Sequence, residues 1–209
     1  MTDPRPTTIT TMEQTERGQF ADRDQFADRE RLKKILQTHS VKRGDFVLAS
    51  GERSDVYVDV RLTALRAEAT PFIGSAFVRK MQERGWHPLA VGGLTMGADP
   101  IVTAISRQSL EFGLEINGFL VRKETKQHGR RQFLEGLADT NGHEVVIVED
   151  VCTTGGSAVK AIERSREAGL KVVGAICLVD REQGGREAIE QTGVPFDRIF
   201  AMAELLAED

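Results

Sequence analysis

Two adjacent carboxylates, Glu149 and Asp150, follow four apolar β-formers in the segment VVIVEDVCTTGGS, residues 145–157. Thr153, Thr154, Gly155, Gly156 and Ser157 come next, where the pattern predicts the mouth of a helix. Small residues let backbone N–H groups close around a phosphate, hydroxyls add donors, and the helix dipole favours the anion. Carboxylates one short step away can accept hydrogen bonds from sugar hydroxyls. A phosphate cradle beside a diol clamp suits a ribose 5-phosphate. A glycine-rich turn alone could equally pack a helix onto a strand and bind nothing. The acids decide the matter, because carboxylates buried without partners are costly and call for a ligand, a cation or donors. The run is not GxGxxG, and no acid is read at the end of the next strand in the manner of a dinucleotide site.

A second candidate is VRKETKQHGRR, residues 121–131, where Arg122, Lys123, Lys126, Arg130 and Arg131 surround His128 and Gly129. On composition this is a solvated face or a general anion patch. Its start at a strand end, and a glycine that frees the backbone, favour a mobile loop with a task. VGGLTMGADP, residues 91–100, is another glycine-rich strand end. Arg181, in CLVDREQGG, either pairs with Asp180 or Glu182 or reads an anionic ligand. Tyr57 and Val58 lie in a β-rich stretch, where ordinary strand packing is an equal reading.

The elements that must hold these residues follow from periodicity. A tandem repeat, QFADRD then QFADRE, precedes Leu32, Ile35, Leu36 and His39 on one helical face, so the folded domain is expected to begin near residue 24. Phe46–Leu48 and Val56–Val60 around SGERSD read as an antiparallel pair. Thr70-Pro71 predicts a helix start with Thr as N-cap, and Gly85 its end. Strands are expected at 89–91, 118–121, 145–148, 172–179 and 198–201, with helices through about Arg107, to near Gly169, and at 186–191. Strand–loop–helix repetition with near-continuous apolar strands predicts an α/β fold: a central parallel sheet covered by helices on both faces. Ligands then belong at the carboxyl ends of the strands.

Composition bounds the function. The 209 residues carry a net charge of −4, with 40% hydrophobic and 29% charged residues, the balance of one soluble globular domain. The charge argues against a nucleic-acid partner. No run approaches the ~18 apolar residues of a membrane span, and the N-terminus lacks an apolar signal region, so the cytoplasm is expected. Cys152 and Cys177 read as buried reduced thiols, and four scattered histidines make no metal site.

The acidic pair followed by T-T-G-G-S resembles the phosphoribosyl diphosphate signature of the type I phosphoribosyltransferases. FVLASGERSDVYVDVR, VGGLTMGADP and VRKETKQHGRRQFLEG resemble the branch of that family that takes orotate as acceptor. The likeness covers roughly residues 30 to 209. It implies a single domain over 24–209 with a small β-containing hood from 24–62, preceded by a polar extension, 1–23. It implies phosphoribosyl transfer to orotate, with diphosphate as leaving group. Glu149, Asp150, Val151, Cys152, Thr153, Thr154, Gly155, Gly156 and Ser157 would bind the donor, together with Arg122, Lys123, Lys126 and His128. Lys126 and Asp150 would be the catalytic groups. Thr153, Arg181, Tyr57 and Val58 would face the base. Mg²⁺ is implied, bound mostly by substrate oxygens, with Asp150 able to reach it through water. A homodimer sharing the 122–131 loop is implied as well. Two departures stand out: many relatives have Lys where this chain has Ala49 and Met96. The alternatives are a transferase for a purine or uracil, and a non-catalytic regulator that senses a nucleotide.

Overall fold

The computed structural model describes residues 25–47, 53–124 and 133–207. Ala49, Lys126, His128, Arg130 and Arg131 therefore lie outside the described residues. Helix α1 (Gln25–His39) starts at the second copy of the hexapeptide repeat and buries Leu32 and Leu36. Strands β1 (Val41–Val47) and β2 (Arg53–Val58) pair antiparallel, Val41 opposite Val58 and Phe46 opposite Ser54, with a bulge between Arg43 and Phe46. β1 begins earlier than its apolar residues suggest, because Lys42, Arg43 and Asp45, which precede Phe46, are exposed.

A one-turn helix α2 (Arg61–Ala64) leads to α3 (Thr70–Glu83), which buries Phe72, Ile73, Phe77, Val78 and Met81. Thr70 is not the N-cap. Ala69 holds that position in helical geometry, and the Thr70 hydroxyl donates 2.9 Å back to the Arg66 carbonyl, continuing the turn already begun.

The remaining elements are β3 (Ala90–Leu94), α4 (Ala98–Ser109), β4 (Asn117–Val121), β5 (Leu134–Glu135) and β6 (Glu144–Cys152). They are followed by α5 (Gly156–Glu167), β7 (Lys171–Asp180), α6 (Gly185–Glu190), β8 (Phe196–Ala201) and α7 (Met202–Leu206). The large sheet runs β5-β4-β3-β6-β7-β8, parallel throughout except for β5. β6 is buried on both faces: Val146 and Val148 join the core beneath α1, α3 and α4, while Val145 and Ile147 pack beneath α5 and α6. Burying a side chain of this kind contributes about 1.5–3 kcal/mol, which is why this strand reads as a continuous apolar run.

The order places β4 on one side of β3 and β6 on the other, so the chain reverses its direction of travel across the sheet between β3 and β6. A crevice opens outside the carboxyl ends of such a strand pair. Here those ends carry the 94–97 loop and the Glu149–Asp150 pair. No described helix is long and apolar enough to cross a membrane.

Candidate active site

Gly155 ends the turn after β6 with a φ of +80°, and a Cβ there would stand 2.8 Å from the Gly185 carbonyl oxygen. Only glycine combines that backbone with that approach. The first helical bond runs from Val159 N–H to the Gly155 carbonyl at 2.9 Å, leaving the preceding N–H groups of α5 without an intrahelical acceptor. They border a cleft of ≈250 Å³ formed by residues 151–158 and Glu149. Open donors, hydroxyls and a helix N-terminus make this an anion cradle.

A second cleft of ≈320 Å³ shares Glu149, Val151, Thr153 and Ser157 with the first, so the two form one connected site. Its other walls are Val58 to Arg61, Leu94 to Gly97, Lys123, Asp150 and Arg181. The acidic pair is its floor. Glu149 is 7% exposed, and its Oε2 is buried with no hydrogen-bond partner. Burial, reinforced by the neighbouring Asp150 charge, pushes its pKa up to about 9, so the carboxyl is neutral at pH 7. Asp150 is half-buried, and its Oδ1 accepts the Val151 N–H at 2.9 Å.

The base-side residues are divided. Val58 and Thr153 line the second cleft. Tyr57, on the opposite face of β2, tilts against Phe46 with ring centroids 5.6 Å apart. Arg181 lines the cleft, and its backbone N–H donates to the Cys152 carbonyl at 2.9 Å, tying β7 to β6. It makes no ion pair among the described residues. Of the cationic segment, Lys123 reaches the cleft, whereas Arg122 pairs with Glu135 at 3.4 Å. Arg164 on α5 holds that strand end by donating to the backbone carbonyls of Arg122 and Lys123.

Two features escaped the sequence reading. Asp59 and Arg61 form a bidentate pair at the lip of the cleft, at 2.8 and 2.9 Å. The Arg61 guanidinium holds the Asp59 carboxyl below its ordinary range. Their signal was the charged end of the VDVR segment. An acid does stand at the end of the next strand: Asp180, 1% exposed, but it is engaged by Arg198 at 3.1 Å and does not line the cleft. Cys152 and Cys177 are free and buried, as expected, with Cys152 in the wall of the anion cradle. A separate cleft of ≈390 Å³ between α1, α3 and β8 holds ion pairs such as Arg29 with Glu204 and Lys80 with Glu83, beside the buried Asp28 Oδ2 and Ser75 Oγ, which have no hydrogen-bond partner. The glycine cradle and the adjacent carboxyl groups belong to the β3–β6 crevice.

A cradle for phosphate, a floor of two carboxylates and a cationic rim define a site for a phosphorylated ribose donor. The comparisons agree: residues 72–195 match the phosphoribosyl transferase domain model, and the chain belongs to the phosphoribosyltransferase family. The orotate phosphoribosyltransferase of Aquifex aeolicus is 44% identical over 180 residues, covering 85% of this chain and 97% of that one. That of Synechocystis is 42% identical over 171 residues, or 82% and 85%. The Mycobacterium tuberculosis orotate phosphoribosyltransferase in complex with 5-phospho-α-D-ribosyl 1-diphosphate superposes with a TM-score of 0.73 at 36% identity, covering 85% of this chain and 98% of that one. Within the family the chain thus groups with the orotate phosphoribosyltransferases. The yeast adenine phosphoribosyltransferase, at 17% identity and a TM-score of 0.61, shares the fold alone.

Proposed function

We propose that the protein transfers the 5-phosphoribosyl group from 5-phospho-α-D-ribose 1-diphosphate to orotate, giving orotidine 5′-monophosphate and diphosphate in pyrimidine nucleotide biosynthesis. The observation that carries this reading is the continuity of the cleft from the α5 N-terminus, across Glu149 and Asp150, to Arg181. The 5-phosphate sits on the 153–157 cradle. Neutral Glu149 is suited to donate a hydrogen bond to a ribose oxygen, while Asp150 accepts from the hydroxyls. Arg181 offers a planar fork to the acceptor's carboxylate, which a neutral purine or uracil lacks. Thr153 and Val58 complete the base side in this reading, with Tyr57 backing β2 from its other face.

N1 of the acceptor displaces diphosphate at the anomeric carbon, so the protein need supply no nucleophile. Its work is to hold two substrates in line and to meet the charge growing on the leaving group. The 94–97 loop, Arg122 and Lys123 serve that end, together with Lys126 and His128 in the segment outside the described residues. Among the described residues no group of three or more His, Cys, Asp or Glu is placed to hold a metal. The half-buried Asp150 carboxylate on the cleft floor does fit a Mg²⁺ ion that takes most of its ligands from substrate oxygens, Asp150 reaching it through water. Such an ion would neutralise diphosphate charge.

The reading includes a homodimer that shares the 122–131 loop. Leu65 and Met96, exposed by 74% and 68%, line one largely apolar cleft beside Arg61, a patch suited to a second copy. It also includes one domain over 24–209 behind a polar extension, 1–23, and a cytoplasmic setting, which two unbridged thiols suit. The direct test follows orotate absorbance with the donor and Mg²⁺, beside parallel assays with uracil and adenine. Turnover confined to orotate supports the reading; turnover of uracil or adenine alone overturns it.

A further inference from the structure

Arg181 sits between two acids in the sequence, Asp180 and Glu182, and either could neutralise it. Neither does, because both acids are held elsewhere. Asp180 is 1% exposed at the end of β7. Its Oδ1 accepts the backbone N–H of Glu182 at 2.8 Å, and its Oδ2 accepts from Nη1 of Arg198 on β8 at 3.1 Å. The same Nη1 donates to Glu182 Oε1 at 2.8 Å. Glu182 adopts a φ of +56°, the left-handed region that non-glycine residues rarely enter, and this turn brings its carboxylate round to β8. Arg181, held by its N–H on the Cys152 carbonyl, is left lining the cleft.

We propose that Arg198 is a specificity-positioning residue, which holds Asp180 and Glu182 so that Arg181 stays available to an anionic acceptor. It touches no substrate. This rests on the reading of Arg181 as the group that meets the acceptor's carboxylate. Without Arg198 the carboxylate of the adjacent Glu182 is released, and the acceptor must compete with an intramolecular partner.

The test separates charge capture from simple propping of the turn. Asp180→Asn removes the buried charge yet keeps an oxygen for the Glu182 N–H, and should leave orotate KM near wild type. Adding Arg198→Met then frees Glu182 alone, and orotate KM should rise about fivefold, the strength of a part-exposed ion pair, with donor KM unchanged. Adding Glu182→Gln to that double variant should bring orotate KM back to within about twofold of wild type. If the double and triple variants are equally impaired, or donor KM rises in step, Arg198 only props the turn and the inference fails. Because the amide introduced by Asp180→Asn needs no counter-charge, folding of these variants does not depend on the ion pair. Arg181→Ala runs alongside. If it leaves orotate KM unchanged, the reading of Arg181 itself is wrong; if it raises KM while the Arg198 variants do not, only the present inference is lost.

Discussion

Gly97 and Asp150 meet at a distance that leaves no room for a side chain: a Cβ on Gly97 would lie 2.5 Å from Asp150 Oδ1. The 94–97 loop and the acidic pair come from strands β3 and β6, on either side of the sheet's reversal point. Their contact fixes where the carboxylate stands. Gly97→Ala should therefore push Asp150 aside without unfolding the sheet. A displacement of about 1 Å at a positioning group can cost roughly 10²-fold, and kcat/KM should fall by that order. Circular dichroism should be unchanged. Wild-type kinetics would mean that Asp150 need not be held there.

Asp150→Asn keeps the shape and removes the charge. Loss of a charge-assisted hydrogen bond to a ribose hydroxyl should lower kcat/KM for the donor by about ten- to a hundredfold. Donor titrations at saturating orotate measure this. Unchanged constants would count against the diol-clamp role.

Glu149 should make stability depend on pH. Its carboxyl is held at about 9 by burial and by Asp150, above the ordinary value of 4.5. Between those two values the folded state keeps a proton that the unfolded state has lost. The unfolding free energy should therefore fall as pH rises, by at most about 1.4 kcal/mol per unit. Glu149→Gln mimics the neutral carboxyl and removes this loss. The variant should match wild type near pH 4 and melt at a higher temperature by pH 8. Parallel melting curves across the range would show that Glu149 is ionised in the fold.

The sequence made some of this visible and hid the rest for physical reasons. β6 and β7 were legible because both of their faces are buried, and α1 because Leu32 and Leu36 repeat on one face. The part of β1 before Phe46 was not, since Lys42, Arg43 and Asp45 are exposed. The two-residue β5 and four-residue α2 are too short to carry a period. The cradle and acidic pair were readable because their chemistry is contiguous in the chain. Arg198 was invisible because its partners, Asp180 and Glu182, lie 18 and 16 residues away and meet it only across paired strands.

Subunit mixing tests the shared loop. Lys126→Ala and Asp150→Ala should each be nearly inert, since removing one group that stabilises the transition state costs about 10²–10³ in kcat. In a hybrid of the two, a shared loop gives one site both defects and the other none. Random two-fold pairing should then restore roughly a quarter of wild-type activity. If each loop serves its own subunit, verified exchange restores nothing.

The claim that joins these parts is that Arg181 selects an acceptor bearing a carboxylate. Steady-state kinetics of Arg181→Ala, with orotate and donor varied in turn, test it most directly. The account predicts that apparent orotate binding weakens by roughly 2–5 kcal/mol, while donor KM stays near wild type. Equal orotate KM in variant and wild type, or equal losses for both substrates, would contradict it.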